Sequence, residues 1–201
     1  EIVSRDLLKK DAMLGASLVD MYVKCGALSR AHEVLKELPA RNVVSWNALI
    51  SGYIHDGQFW EALNSFEEMQ LQGISPNAIT FTCILNACGS TGAIGKGKRI
   101  HEEIVGQHLL EKDIVLGNAL VDMYTKCGVL NKAQTVLEEL PKRDIVSWST
   151  IIAGYAQHGQ LHEALDCFLK MRSEGLYPNA ITFVCLLKAC GSAGAINKGK
   201  Q

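Results

Sequence analysis

The 201-residue chain carries almost no net charge: 20 lysines and arginines stand against 21 aspartates and glutamates, leaving a formal −1 at pH 7. Proteins that hold a polyanion by bulk electrostatics show a basic excess, so composition argues against that class and any basic patch must be local. Proline is scarce at 4 residues, and no low-complexity tract occurs, which argues against a disordered linker. No apolar run approaches the ~18 residues needed to cross a bilayer, so no membrane partner is expected. The opening stretch EIVSRDLLKKD lacks the pattern of a secretory signal. The 7 cysteines are odd in number and form no dense framework, which points to free thiols in a reducing compartment.

What is abundant is apolar side chain, 48% of residues, and it is repeated. Trp46 recurs as Trp148, 102 positions on. At that offset residues 1–99 overlay 103–201 without a gap, and more than half of the pairs are identical. PNAITF at 76–81 returns at 178–183. The long period subdivides. In 43–77, VVSWNALISGYIHD sets Trp46, Leu49, Ile50 and Tyr53 at helical spacing, and Gly57 then breaks the helix. FWEALNSFEEMQ follows with Ala62, Leu63, Phe66 and Met69, and stops at Gly73 and Pro76. Residues 78–113 and 114–144 repeat the scheme, giving spans of 35, 36 and 31 residues, and the series restarts at Ile145. A helix hairpin of this size cannot bury its apolar stripe alone, whereas stacked hairpins can, as a superhelical solenoid. Both ends of the chain fall inside a unit and no polar cap is visible, so a fragment of a longer array is expected.

The segments VSWNALISGY (44–53), EALNSFEEMQLQGISPN (61–77), TFTCILNACGSTGAI (80–94), NALVDMYTKCGVLNKA (118–133) and LPKRDIVSW (140–148) resemble the pentatricopeptide-repeat family, in its plant subclass of alternating P, L and S motifs. The resemblance covers the whole chain, in the order partial L (1–11), S (12–42), P (43–77), L (78–113), S (114–144), P (145–179) and partial L (180–201). Tetratricopeptide repeats hold a uniform 34-residue period, which the alternation here does not fit. The resemblance implies an all-α fold, a right-handed superhelical α-solenoid of stacked helix-turn-helix repeats. It further implies single-stranded RNA binding in a mitochondrion or chloroplast, as the recognition part of a C-to-U editing or RNA-processing factor, without a cofactor or DNA. L units in this subclass are thought to bind an accessory editing protein.

In such repeats the fifth residue of the first helix and the last residue of the unit contact one base. That implies the pairs Asn47 with Asn77, Asn118 with Asp144, Ser149 with Asn179, Thr82 with Asp113, and Ala16 with Asn42, where alanine departs from the expected polar type. Base-packing positions, second in the helix, are Met13, Val44, Ile79, Val115 and Val146. Ionised aspartate only accepts hydrogen bonds and suits a ring N–H, whereas asparagine can do both. By the family's code the three clear pairs favour a pyrimidine (cytosine first), uracil and adenine, read 5′ to 3′. Thr82/Asp113 formally means guanine, in a class of unit that follows the code poorly.

Plainer readings stand beside these. Asn42, Asn77, Asp113, Asp144 and Asn179 each precede a helix and suit an N-cap worth about 1 kcal/mol. Lys24 and Lys126 are candidate phosphate contacts, but a cation near a helix C-terminus is favourable anyway. Lys96, Lys98 and Arg99, echoed by Lys198 and Lys200, read as a solvated face. Cys83/Cys88 and Cys185/Cys190 lack zinc spacing and, with Cys25 and Cys127, read as buried packing. His162-Glu163 has the wrong spacing for a zinc deaminase and no Pro-Cys-x-x-Cys follows, so no enzyme activity is expected. The alternative function is a helical-repeat scaffold binding a protein or peptide.

Overall fold

The computed structural model describes residues 12–38 and 41–192. The partial unit at 1–11, Lys198, Lys200 and the side chain of Met13 lie outside the described residues. The described elements are helices α1 (Ala12–Lys24), α2 (Leu28–Glu37), α3 (Val43–His55), α4 (Phe59–Leu71), α5 (Ala78–Thr91), α6 (Ile94–Gly106), a 3-10 turn (Leu109–Glu111), α7 (Ile114–Lys126), α8 (Leu130–Glu139), α9 (Ile145–Gln157), α10 (Leu161–Ser173) and α11 (Ala180–Ser192). No strand occurs among the described residues. The fold class is the all-α stack of helix hairpins that the repeat predicts.

Two compact units divide the chain, Glu1–Thr91 and Gly92–Gln201. In the first, α1 packs on α2 and α3 on α4, while α3 also lies against α1 and α5. In the second, α7 packs on α8 and α9 on α10, with α9 against both α7 and α11. A buried stripe on each first helix makes these contacts: Trp46, Leu49, Ile50 and Tyr53 on α3, and Trp148, Ile151, Ile152 and Tyr155 on α9. Ala62, Leu63, Phe66 and Met69 of α4, and Leu161, Ala164, Cys167 and Met171 of α10, close the cores from the second helix.

Glycine permits the close stacking. A Cβ on Gly52 would stand 2.7 Å from Val23 Cγ1 and 2.9 Å from Leu28 Cδ2, and one on Gly154 would collide with the Thr125 side chain. Gly57 and Gly159 end α3 and α9 at φ of 73° and 72°, a left-handed conformation that costs glycine least.

Of the cysteines, Cys88 and Cys190 are buried as expected, and Cys83, Cys127 and Cys185 partly so; Cys167 is buried as well. Cys25 is a correction: it is exposed, because it lies in the turn after α1 and its backbone N–H only closes that helix end, on Met21 O.

The two tryptophans are not equally satisfied. Trp148 Nε1 donates to Glu174 Oε2 at 2.8 Å, while Arg143 holds the other oxygen through Nε (2.9 Å) and Nη2 (2.7 Å). Trp46 Nε1 is buried without a partner. One period earlier, the place of Glu174 is held by Gln72, and Arg41 turns instead to the carbonyls of Leu35 and Lys36. An orphaned buried donor costs about 1–3 kcal/mol. Gln72→Glu is therefore expected to stabilise the chain by about 1 kcal/mol and to raise its melting temperature by about 2–4 °C in a circular-dichroism melt. An unchanged or lower melting temperature would show that the indole N–H is satisfied by other means.

Candidate nucleic-acid interface

Each candidate base-reading pair is built around a helix start. Asn42, Asn77, Asp144 and Asn179 all accept from the backbone N–H of the residue three positions on, which satisfies one of the orphaned amides of the first turn. At Asn42 and Asp144 the third residue is serine and returns a bond to the cap's own N–H, a closed capping box. The capping reading therefore holds, and it coexists with a second feature. The cap side chain also meets the fifth residue of the preceding first helix.

In the first unit, Asn47 Nδ2 donates to Asn77 Oδ1 at 3.0 Å. In the second, Asn118 Nδ2 donates to Asp144 Oδ1 at 3.3 Å. Ser149 reaches Asn179 through one intermediary, Thr182 Oγ1, at 2.9 and 3.0 Å. These three pairs are brought together. Thr82 and Asp113 show different contacts: the Thr82 hydroxyl donates to Ala78 O at 2.8 Å within its own helix, and Asp113 Oδ1 accepts from Leu116 N at 3.1 Å. Ala16 offers no polar group to Asn42.

Capping decides what the last residue has left to offer. A backbone N–H can only donate, so the atom that Asn77 turns to Thr80 N must be Oδ1, and Nδ2 remains as a donor. Asp144 Oδ1 accepts from Ser147 N and Asn118 Nδ2, with Ser147 Oγ a further 2.9 Å neighbour, leaving Oδ2 with a lone pair. Partial burial pushes the Asp144 carboxyl up, but bonds from Ser147, Asn118 and the Val146 N–H together hold it below its ordinary value. It is thus ionised, and an acceptor only, at neutral pH.

Beside these pairs stand branched aliphatics that the core does not use. Val44 and Ile79 are 66% and 60% exposed in the first unit, and Val115, Val146 and Ile181 are 61%, 57% and 63% exposed in the second. These five residues share the second position of their helices, and each keeps its branched side chain largely out of the core. Val146 and Ile181 wall a cleft of ≈ 290 Å³ that also contains Ser149, Asn179, Asp122 and Lys126. Lys126 lies on its rim with Nζ 2.7 Å from Asp122, and Lys24 makes the matching pair with Asp20 at 2.7 Å. Both lysines are exposed, and such surface pairs are worth little.

Two groups of residues escape sequence reasoning. Ile181 lies in an incomplete unit, although its identity with Ile79 one period earlier marks it. Thr80, Ser147 and Thr182 read as ordinary helix residues, and only the hydroxyl three places after each cap signals their part.

A larger cleft of ≈ 650 Å³ lies elsewhere in the second unit, with Lys98, His101, Glu102, Val105, Tyr124 and Lys132 in its lining. His101 Nδ1 and Tyr124 Oη are 2.9 Å apart. Burial first, and Lys132 second, push the imidazole below its ordinary pKa, against the opposing pull of Glu139 and Glu102. The unfolded chain therefore takes up this proton before the folded one does, and stability falls as pH drops below about 6.5. Gln134 accepts from Tyr155 in a similar contact without titrating. His101→Gln is expected to flatten the loss of melting temperature between pH 7 and 5.5. An unaltered slope would assign the titration to another group.

Among the described residues no cluster of His, Cys, Asp and Glu could hold a metal ion, and no helix is long and apolar enough to cross a membrane. Burial pushes the Cys167 thiol up to about 11 and raises Cys83 and Cys127 as well, the opposite of an activated nucleophile.

The model of the PPR repeat family matches residues 41–90 and 143–192, and that of the PPR repeat matches 17–43 and 118–145. Pentatricopeptide repeat-containing protein At5g27110 of Arabidopsis thaliana is 40% identical over 98% of the chain and 28% of its own length. The mitochondrial protein At1g06140 is 38% identical over 98% of the chain and 35% of its own length, and the chloroplastic protein At4g18520 is 38% identical over 100% and 32%. The chain thus spans about a third of the curated relatives it matches. The crystal structure of the pentatricopeptide repeat protein PPR10 from maize superposes on 94% of the chain and 28% of its own, with a TM-score of 0.73 at 26% identity. PPR10 in complex with an 18-nt psaJ RNA element gives 0.74 at 21% identity, covering 94% of the chain and 29% of its own, and supports the fold.

Proposed function

The chain belongs to the PPR repeat family, and we propose that it binds single-stranded RNA sequence-specifically, one base per repeat. The observation that carries this reading is the recurring join of fifth and last residues beside exposed aliphatics. Trp46 and Tyr53 repeat as Trp148 and Tyr155 at the long period while Asn47 is replaced by Ser149, Ala16 by Asn118 and Asn42 by Asp144, with Asn77 kept as Asn179, a pattern that suits a reader. The repeat boundaries are S (12–42), P (43–77), L (78–113), S (114–144) and P (145–179), with partial L units at 1–11 and 180–201.

Base edges follow from hydrogen-bond inventory. The free Nδ2 of Asn77 or Asn179 donates to a ring nitrogen without hydrogen, cytosine N3 or adenine N1. Asp144 Oδ2 accepts from a ring N–H, uracil N3 or guanine N1. With the fifth residues, the preferences are pyrimidine with cytosine favoured at Asn47/Asn77, uracil at Asn118/Asp144 and adenine at Ser149/Asn179, 5′ to 3′. Val44, Ile79, Val115, Val146 and Ile181 give base faces a dry wall, in place of aromatic stacking. Lys24 and Lys126 neutralise phosphates at the cost of weak pairs with Asp20 and Asp122. Relatives named as mitochondrial and chloroplastic support an organellar transcript as the target, and recognition of a C-to-U editing or processing site as the role. An accessory protein would sit on the L units.

Changing Ser149→Asn together with Asn179→Asp is expected to switch one position from adenine to uracil, by at least tenfold in relative affinity, and to leave the other positions alone. Fluorescence anisotropy with short single-stranded RNAs at fixed salt measures this. A uniform loss for every RNA would mean that the pair only caps and folds the helix, and no RNA preference in the parent chain at any salt would reject the proposal.

A further inference from the structure

The last residue of a unit has its polarity set by the cap, but the fifth residue has not yet been accounted for. In each joined pair it faces a fully buried hydroxyl on the first helix of the next repeat. Thr80 Oγ1 lies 2.6 Å from Asn47 Oδ1 and 3.1 Å from Asn77 Oδ1. Ser147 Oγ lies 2.6 Å from Asn118 Oδ1 and 2.9 Å from Asp144 Oδ1. Thr182 Oγ1 lies 2.9 Å from Ser149 Oγ and 3.0 Å from Asn179 Oδ1. All three hydroxyl residues are 0% exposed, so no solvent competes for their protons.

A hydroxyl has one proton to give. At Thr80 and Ser147 the shorter contact takes it, and that contact is the amide oxygen of the fifth residue. Asn47 and Asn118 then have their oxygen spent and one Nδ2 hydrogen engaged with the last residue. A single N–H remains to each. At Thr182 both contacts are satisfied together only when its proton goes to Asn179 Oδ1, which can only accept, and the Ser149 hydroxyl donates to Thr182 Oγ1. Ser149 is left with lone pairs only.

These remainders match the second position of the base edge. Uracil and cytosine carry an acceptor, O2, there, guanine carries an amino donor, and adenine carries only C–H. A lone N–H selects a pyrimidine. A lone-pair oxygen opposes O2 and admits a purine. We infer that the third residue of each following helix, Thr80, Ser147 or Thr182, is a specificity-determining positioning residue: its hydroxyl fixes whether the fifth residue of the preceding unit presents a donor or an acceptor to the base. This rests on the RNA-reading proposal above and adds a third residue, from the neighbouring repeat, to each reader.

Two places in the same chain behave as this requires. Where the fifth residue is Ala16, the Ser45 hydroxyl has no amide to orient and donates to Asn42 O at 2.9 Å. After Asp113 the third residue is the buried Leu116, and Thr82 spends its proton on Ala78 O. The L unit thus has no hydroxyl to set its polarity and reads weakly or not at all.

Ser147→Ala in the 201-residue chain tests this, with RNAs that differ only in U, C or G opposite Asn118/Asp144. Freed of Ser147, the Asn118 amide can turn either way. Preference for U over G is expected to fall about tenfold, while preference for U over C, which Asp144 sets, is unchanged. Ser147→Thr restores the hydroxyl and is expected to retain both preferences. Both ratios unchanged in Ser147→Ala would overturn the inference. A joint loss of both ratios with overall affinity would also overturn it, since the hydroxyl would then only support the fold. If the parent chain itself does not prefer U there, the RNA-reading proposal fails and this inference with it.

Discussion

The backbone N–H of the third residue in a first helix can only donate, and the candidate interface is organised around that fact. Left alone it is one of the unsatisfied amides of a helix start. Here it is met by the side-chain oxygen of the preceding unit's last residue at Thr80, Ser147 and Thr182. The need to cap fixes the orientation of that side chain. Its remaining tip atom, amide nitrogen or carboxylate oxygen, is then set by the choice between asparagine and aspartate alone. A stabilising bond of about 1 kcal/mol thus also orients the group that we propose meets a base.

The same economy appears in the scaffold. Trp46 and Trp148, Tyr53 and Tyr155, and Gly52 and Gly154 are held at one spacing because hairpins must stack closely. Within the stack the changes are conservative, as at Leu49 and Ile151, whereas the buried fifth residues Asn47 and Ser149 differ in polar group. Val44, Ile79, Val115, Val146 and Ile181 stay branched and apolar although exposed, and the proposed contact with a flat base would account for them. The orphaned Trp46 indole is the exception: with Gln72 at the place of Glu174, its N–H has no partner, and the hairpin stacks all the same.

The hairpins were legible in the sequence because their signals are local. Apolar spacing at 46, 49, 50 and 53, the glycine stops at 57 and 159, and the caps before 43 and 145 all reappear as helix faces and ends. The pairs Asn47/Asn77, Asn118/Asp144 and Ser149/Asn179 came from family resemblance, and in the structure each is joined. Their hydrogen-bond polarity was not legible. It depends on Thr80, Ser147 and Thr182, which meet residues some 30 positions away, and no window of a single helix contains both. Cys25 failed for the reverse reason, since its exposure depends on how a turn faces and local spacing is silent on that.

A near-neutral chain of stacked hairpins has no bulk charge to attract RNA, so the proposed reading places discrimination in the pairs themselves. Selecting a random single-stranded RNA pool on the chain and sequencing what is retained tests that most directly. Retained RNAs are predicted to share, in consecutive 5′-to-3′ positions, a pyrimidine, an unconstrained base, a uracil and an adenine. A pool retained without base enrichment, or enriched at a spacing unrelated to the three pairs, would contradict it.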